Sequence, residues 1–406
     1  MATPRDSGAP RYQRGGPGPG RVRRRRGPGA LHRRRLQCGR RPGHRPIRTA
    51  PERSHDAVRN AGFRGLVSLD ASGNPDIAAL ETFDDGDGAK LYATGDFDGD
   101  NNPELRNIAA WDGVDWTPLD RGLFSAQGKA LAVFDDGTGD ALYVGGRFRG
   151  QLNGVARWDG VAFSALDGGG GPGVTAPADP VALALAVFDD GGGDALYVGG
   201  AFTEAGGVAA AGLARWSLSD GWTAVGGFTP TGGASVTVRS LAVFDDGTGP
   251  ALYVGGDFTE VNGVPAGGAV RWDGTAFQAL GGPRGPGVAF SGGDLRVNVL
   301  RAGDAGDGEK LFVGGLFDSA GGRAAHGVAT WDGQAWSPLI GDAPPTFAAP
   351  EVKALTFFDG GVYLGGSFTN LGSEGSSNLG FYRDQPGLFD DDFESGDVSA
   401  WSAAFP

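Results

Sequence analysis

A phrase of about twenty residues recurs six times along this chain. Its clearest form is ALAVFDDGTGDALYVGGRF, Ala130 to Phe148, in which two short apolar runs bracket a turn of Asp and Gly. Near-copies begin at Leu183 (LALAVFDDGGGDALYVGGAF) and Leu241 (LAVFDDGTGPALYVGGDF), and looser ones at Leu80, Leu300 and Leu355. The glycines that close each phrase are Gly95, Gly146, Gly200, Gly256, Gly315 and Gly366, at intervals of 51, 54, 56, 59 and 51 residues. A recurring period of this length is the mark of a repeat architecture, in which each unit buries its apolar surface against its neighbours.

Each unit continues with a second block: IAAWDGVDW at Ile108, VARWDGVAF at Val155, LARWSLSDGW at Leu213, AVRWDGTAF at Ala269 and VATWDGQAW at Val328. A unit therefore holds four short runs rich in Val, Leu, Phe, Tyr and Trp, separated by Asp-Gly or Gly-rich breaks, which is the pattern of consecutive hairpins. No stretch keeps the i, i+3, i+4, i+7 spacing of an amphipathic helix. Four strands in about 50 residues is the size of one propeller blade, so the expectation is an all-β, six-bladed β-propeller of four-stranded blades over residues 63–386. Blade six lacks a fourth strand, and the run Phe63–Asp70 lies ahead of the first repeat with no blade of its own. That run is expected to pair with the strand containing Gly380–Arg383, an N-terminal strand closing the last blade and leaving no open sheet edge there. A seventh, partial blade is the alternative.

Residues Tyr143-Val144-Gly145-Gly146, Trp158-Asp159 and Phe163 form an apolar run ending Gly-Gly, an aromatic-Asp pair and a second aromatic. This resembles the kelch repeat. The stretch YVGGDFTEVNGVPAGGAVRW from Tyr253 is similar to delta-60-type repeats of secreted bacterial propellers, and to the propeller of fungal cortical polarity markers. LFDDDFESGDVSAWSAAFP, from Leu388, resembles a short ending found on secreted bacterial proteins. The resemblance implies a propeller at an extracellular or cell-surface location. It does not fix an activity, since such repeats serve enzymes, adhesins and scaffolds alike.

Charge divides the chain. Residues 1–64 carry 18 Arg and three acids, a net +15, whereas the remainder carries −28. Residues 1–62, rich in Arg, Gly and Pro and without apolar periodicity, read as a disordered basic tail. Clustered Arg neutralises phosphates, but a single Tyr gives no stacking surface, so nucleic-acid binding is disfavoured against an inert or non-authentic tail. There is no 7–15-residue apolar core of a secretory leader in it. Residues 387–406 read as a short acidic C-terminal tail, and no run is long enough to span a bilayer.

The propeller region contains no Cys and one His, His326, in the hairpin loop GGRAAHGVA. That excludes a copper-radical site, and without a G-x-S-x-G elbow it disfavours a nucleophilic triad; His326 is expected to be solvated. The candidate metal ligands are Asp96, Asp98, Asp100 and Glu104, at positions 1, 3, 5 and 9 of DFDGDNNPE, a spacing that can wrap oxygen ligands around Ca²⁺. The EF-hand closing positions hold Asn101 and Asn107 instead, and the same stretch also reads as an ordinary charged hairpin. Trp111, Trp158, Trp216, Trp272 and Trp331 share one register and are expected in the core between blades; Trp116, Trp222 and Trp336, on fourth strands, are expected to be more exposed. Two functions fit. One is a non-enzymatic exported binding or adhesion module whose partner, an unidentified protein or glycan, meets a propeller face. The alternative is a carbohydrate-active enzyme using Asp/Glu pairs near the central channel. Because strands alternate direction, the Asp-rich first-to-second and third-to-fourth turns should emerge at one end and make it electronegative.

The tail reading has a direct test: deletion of residues 1–62 is expected to leave the melting temperature unchanged to within a few degrees by calorimetry.

Overall fold

The computed structural model describes residues 66–67 and 76–382, apart from segments at 100–101, 121–126, 168–170, 232–234, 283–284, 340–349, 359, 369, 372–373 and 376–377. The two expected tails, 1–62 and 387–406, lie outside the described residues. All regular elements among the described residues are strands. Sheet 1 comprises Asp76–Asp84, Ala89–Gly99, Asn102–Trp111 and Trp116–Pro118; sheet 2, Gly128–Asp135, Asp140–Gly146, Val155–Trp158 and Phe163–Ala165. Sheet 3 comprises Val181–Asp189, Asp194–Ala201, Leu213–Ser217 and Gly221–Ala224; sheet 4, Val238–Asp245, Pro250–Gly256, Ala269–Trp272 and Phe277–Ala279. Sheet 5 holds Arg296–Asp304, Glu309–Leu316, Val328–Trp331 and Trp336–Pro338, and sheet 6 holds Glu351–Phe358, Gly361–Ser367 and Leu379–Tyr382. Within each, sequential strands pair antiparallel. The architecture is all-β and propeller-like.

The register explains the Gly-Gly signature. In every sheet the first strand carries a bulge where it passes the end of the second, as between Ala182 and Ala184, Val238 and Ser240, or Val352 and Ala354. The bulge turns a carbonyl over the closing glycine. A Cβ on Gly200 would lie 2.0 Å from the Val181 carbonyl oxygen, and one on Gly256 2.1 Å from that of Thr237. The preceding glycine serves the next sheet instead: a Cβ on Gly199 would lie 2.6 Å from Val238 Cγ1, and one on Gly314 2.7 Å from Val352 Cγ1. Sheet 1 reverses the arrangement. Thr94 stands where the others have glycine, and its partner on sheet 2 is Gly128, whose added Cβ would strike the Thr94 hydroxyl.

Sheets 2 to 5 are buried on both faces. The face toward the next sheet carries Phe and Tyr; the face toward the preceding one carries Val and Leu. Phe188 and Tyr197 of sheet 3 pack with Val238, Leu252 and Val254 of sheet 4. Phe244 and Tyr253 of sheet 4 pack in turn with Val297, Leu300 and Val313 of sheet 5. Sheets 1 and 2, 2 and 3, and 5 and 6 repeat the arrangement.

The expected closing strand pairs elsewhere. Leu66–Val67 pairs with Asp98–Gly99 of sheet 1, not with the strand of Gly380. The reason lies in sheet 1's second strand, which runs on to Gly99 while its first-strand partner begins at Asp76, opposite Asp96. The overhang at Asp98–Gly99 leaves backbone groups on that edge for Leu66–Val67 to take up. Sheet 6 ends on Leu379–Tyr382 among the described residues. The fourth-strand tryptophans also differ from expectation. Trp116, Trp222 and Trp336 are buried, and the Trp222 and Trp336 indoles donate to the Leu166 and Leu280 carbonyls at 3.0 and 2.8 Å, each just beyond the outer strand of the preceding sheet. Trp158, Trp216 and Trp331 are buried as expected, whereas Trp111 and Trp272 are half-buried.

The two glycines make opposite predictions. Gly199→Ala should cost about 1–3 kcal/mol and be partly rescued by Val238→Ala. Gly200→Ala meets backbone, so no side-chain truncation should rescue it. Urea unfolding of the single and double variants separates the two cases.

Candidate functional site

The acidic turns are built from two carboxylates with different tasks. The first Asp of each Asp-Asp-Gly turn caps it: Asp135 Oδ1 accepts from the amides of Gly137 and Gly139, both at 2.9 Å, and Asp84, Asp189, Asp245 and Asp304 repeat the geometry. These glycines sit at φ near +100°, where a side chain would be strained, so the chain can turn here only with Gly. The second Asp points inward. Asp136 Oδ2 accepts from the Tyr143 hydroxyl at 2.9 Å and from Arg157 Nε, of the third strand, at 3.1 Å. Asp190 with Tyr197 and Arg215, and Asp246 with Tyr253 and Arg271, form the same trio. In sheet 1 Lys90 replaces the arginine beside Asp85 and Tyr92.

In sheet 5 all three members of the trio are replaced together. There Ala305, Phe312 and Thr330 stand in place of Asp, Tyr and Arg, all three buried. Removing one charge alone would strand the others in a low-dielectric setting; removing all three leaves ordinary packing. Sequence reading missed this trio. Its signal was present as the joint loss of Asp, Tyr and Arg from one unit.

The third-to-fourth turns of sheets 1 to 5 carry a further Asp each. Asp159 Oδ1 accepts from the Val161 and Ala162 amides at 2.9 Å, and Asp112, Asp273 and Asp332 do likewise. Both turn sets emerge at the same end, as expected. A Cβ on Gly160 of sheet 2 would lie 2.9 Å from the Asp85 carbonyl oxygen of sheet 1, and Gly274 and Gly333 stand in the same relation to Asp190 and Asp246. At this end sheets 1 to 5 each present three to five carboxylates against a single cation: Lys90, Arg157, Arg215, Arg271 or Lys310. Asp359, in the corresponding turn of sheet 6, lies outside the described residues.

These environments shift ionisation. Backbone amides at the turn hold Asp112, Asp159 and Asp273 below the usual carboxylate range. For Asp85, Asp136 and Asp246 burial pushes upward, but hydrogen bonds from the neighbouring Lys90 or Thr, the Tyr hydroxyl and turn amides outweigh it, and the net shift is also downward. Burial, reinforced by the adjacent Asp, raises Tyr143 and Tyr253. The end therefore stays anionic throughout the neutral range, and its row of Asp Oδ2 atoms is suited to attracting cations or a basic surface.

Of the expected calcium ligands, Asp96, Asp98 and Glu104 lie among the described residues. Asp96 accepts a short hydrogen bond from Gln127, Asp98 pairs with Arg106 at 3.0 Å across the hairpin, and Glu104 is exposed. Asp100 lies outside the described residues, and no cluster of three or more His, Cys, Asp or Glu is present among the described ones. His326 differs from expectation: it is buried, with φ of 36°, immediately before Gly327, whose carbonyl accepts from the Gly315 amide at 2.9 Å. No helix among the described residues is long and apolar enough to cross a membrane.

No family model and no curated protein matches the chain. Among solved structures it is similar to the extracellular domain of a putative hybrid two-component system, BT4673, from B. thetaiotaomicron, at 14% identity and a TM-score of 0.44 over 80% of this chain. A second structure, of the extracellular domain of the putative one-component system BT4673 from B. thetaiotaomicron, gives 14% and 0.41 over 83%. The chain spans about two fifths of those structures, 40% and 42%. The computationally designed Ika8 protein is 15% identical with a TM-score of 0.36, over 75% of this chain and 82% of the designed one.

The trio has a stability signature. Asp136→Ala is expected to cost about 3 kcal/mol or more, because it strands a guanidinium and a phenol. The triple variant D136A/Y143F/R157T, which copies sheet 5 into sheet 2, should lie within about 1.5 kcal/mol of the parent. Additive losses in urea unfolding would contradict the reading. Because these aspartates titrate lower when folded, their stabilisation is complete above the unfolded value of about 3.9 and fades as pH falls through the folded values. Melting temperature should be flat from neutral pH to about 4.5 and drop below it.

Proposed function

We propose that the protein is a non-enzymatic, exported six-bladed propeller, a binding or adhesion module that engages its partner through the electronegative turn end. The observation that carries this is the division of labour among the aspartates. Inner carboxylates are consumed by Tyr and Arg. The capping aspartates, among them Asp135, Asp159, Asp189, Asp245, Asp304 and Asp332, are fixed through Oδ1 to backbone amides, so their second oxygens are held in place at no further entropic cost on binding. A fixed array of like charge at one end favours a basic protein surface or a ligand bridged by cations, and makes association fast and salt-dependent. Export rests on the resemblance of the repeats and of the C-terminal run to secreted bacterial proteins.

An oligolysine probe tests the reading with the full chain. It should bind at low salt and release at about 0.5 M, where screening acts within a few ångströms. Changing Asp140, Asp159, Asp194 and Asp332 to Asn keeps the turn acceptors where they cap and should weaken binding several-fold. Equal binding by that variant would overturn the assignment to this end. A glycan array with and without Ca²⁺ covers the sugar partner, and release of cleaved glycan would replace the module with an enzyme.

A further inference from the structure

The outermost faces of the six-sheet series do not match its interior. At the four junctions from sheet 2 to sheet 6 a Val or Ala from one sheet's first strand is buried over the first glycine of the preceding sheet: Val238 over Gly199, Val297 over Gly255, Val352 over Gly314, each valine fully buried. The same register position in sheet 1 is Ile77, opposite Gly95 as Val238 is opposite Gly256, and Ile77 is 39% exposed. Leu80, on the same face, is 56% exposed, whereas its counterparts Leu300 and Leu355 are 5% exposed and Leu131, Leu185 and Leu241 are half-buried. The far end shows the complementary half. Phe358 of sheet 6 occupies the position of Phe83, Phe134, Phe188 and Phe244, which are 3–5% exposed, yet it is 69% exposed. Gly365, the counterpart of Gly199, has open space before it: a Cβ there would meet nothing nearer than Ala354 Cβ at 3.8 Å.

We propose that the exposed face of sheet 6 receives the exposed face of sheet 1 of the same chain, with Ile77 seated over Gly365, so that the ring closes by face-to-face packing and not by strand exchange. This rests on the propeller reading above but is independent of what the acidic end binds. Knob and socket are the same residue classes, in the same register and on the same faces, as at the interior junctions. Strand exchange is not the means, since Leu66–Val67 is taken by Asp98–Gly99. A second copy placed head to tail would meet the same chemistry, but each addition leaves two apolar faces open unless a larger ring forms. One chain closing on itself buries both at a stroke, and the tether makes the encounter unimolecular.

Disulfide trapping tests it. At an interior junction a Cβ on Gly199 would lie 3.3 Å from Val238 Cβ, close to the separation of about 3.5–4.5 Å that a disulfide spans. The pair Ile77→Cys and Gly365→Cys, in a Cys38→Ser background, should therefore oxidise within one chain at micromolar concentration. The product is a monomer two hydrogens lighter with no free thiol. Gly199→Cys with Val238→Cys is the positive control, and Ile77→Cys with Val161→Cys, whose second member is an exposed turn residue of sheet 2, the negative one. Disulfide-linked oligomers that grow with concentration would assign the faces to a second copy, and two persistent free thiols would leave the faces apart; either result overturns closure. Leu80→Asp and Phe358→Asp provide a readout without cysteines. Each should lower the melting temperature by several degrees, whereas Val161→Asp should leave it unchanged; no shift in the first two would also refute the proposal. Because this test reads covalent mass and melting, its failure is distinct from loss of oligolysine binding.

Discussion

The contact on which the fold depends is a carbonyl oxygen laid over a glycine. In all six sheets the first strand bulges as it passes the end of the second, and the carbonyls of Asp76, Gln127, Val181, Thr237, Arg296 and Glu351 come to rest where a Cβ would otherwise stand. A bulge adds one residue to one strand and sharpens the local twist. Here it also leaves the closing glycine's amide free to donate across to the residue before the third strand, as Gly200 does to Gly212 and Gly256 to Gly268. That residue is left-handed in every unit: Asn107, Gly154, Gly212, Gly268, Gly327 and Asn378. Bulge, glycine and left-handed turn are one device, which is why the spacing from Gly-Gly to the Trp-Asp block varies while both ends persist.

From that device follows the stacking. With no helix among the described elements to cover them, sheets apolar on both faces must bury each face against another sheet. The first glycine of each pair thins one sheet where the next sheet's valine must approach, and close-packed interiors tolerate only matched volumes. The exchange of Thr94 for glycine in sheet 1 and of Gly128 for valine in sheet 2 keeps the sum of volumes while reversing its sides. Only a local contact between these two residues explains a paired departure at positions 34 residues apart.

What was legible in the sequence was whatever the backbone demands of single residues. Period, strands and hairpins showed because Asp, Gly and alternating apolar residues act locally, and the shared end for both turn sets followed from strand alternation alone. Partnership across sheets was less legible. Trp222 reads as an outer-strand residue, yet its indole finds a carbonyl 56 residues earlier, so its burial depends on the neighbouring sheet. Leu66–Val67 was assigned to the last sheet from a missing strand there, whereas the deciding factor was the overhang of Asp98–Gly99, a matter of two residues of strand length. Asp96 and Asp98 carried a ligand-like spacing, but spacing along a strand says nothing of Gln127 or Arg106 arriving from elsewhere.

The acidic end separates what folding requires from what remains for function. In sheet 5 the inner Asp, its Tyr and its Arg are all replaced, but the turn residues Asp304 and Asp332 stay and cap the same amides. The inner charge is therefore dispensable as a set, while the outer charge is tied to turn geometry. Because an Asn would cap the turn as well, local folding does not by itself dictate a carboxylate at those sites. The outward charge is thus the part of the design that stability leaves undetermined, and the natural place to look for a partner.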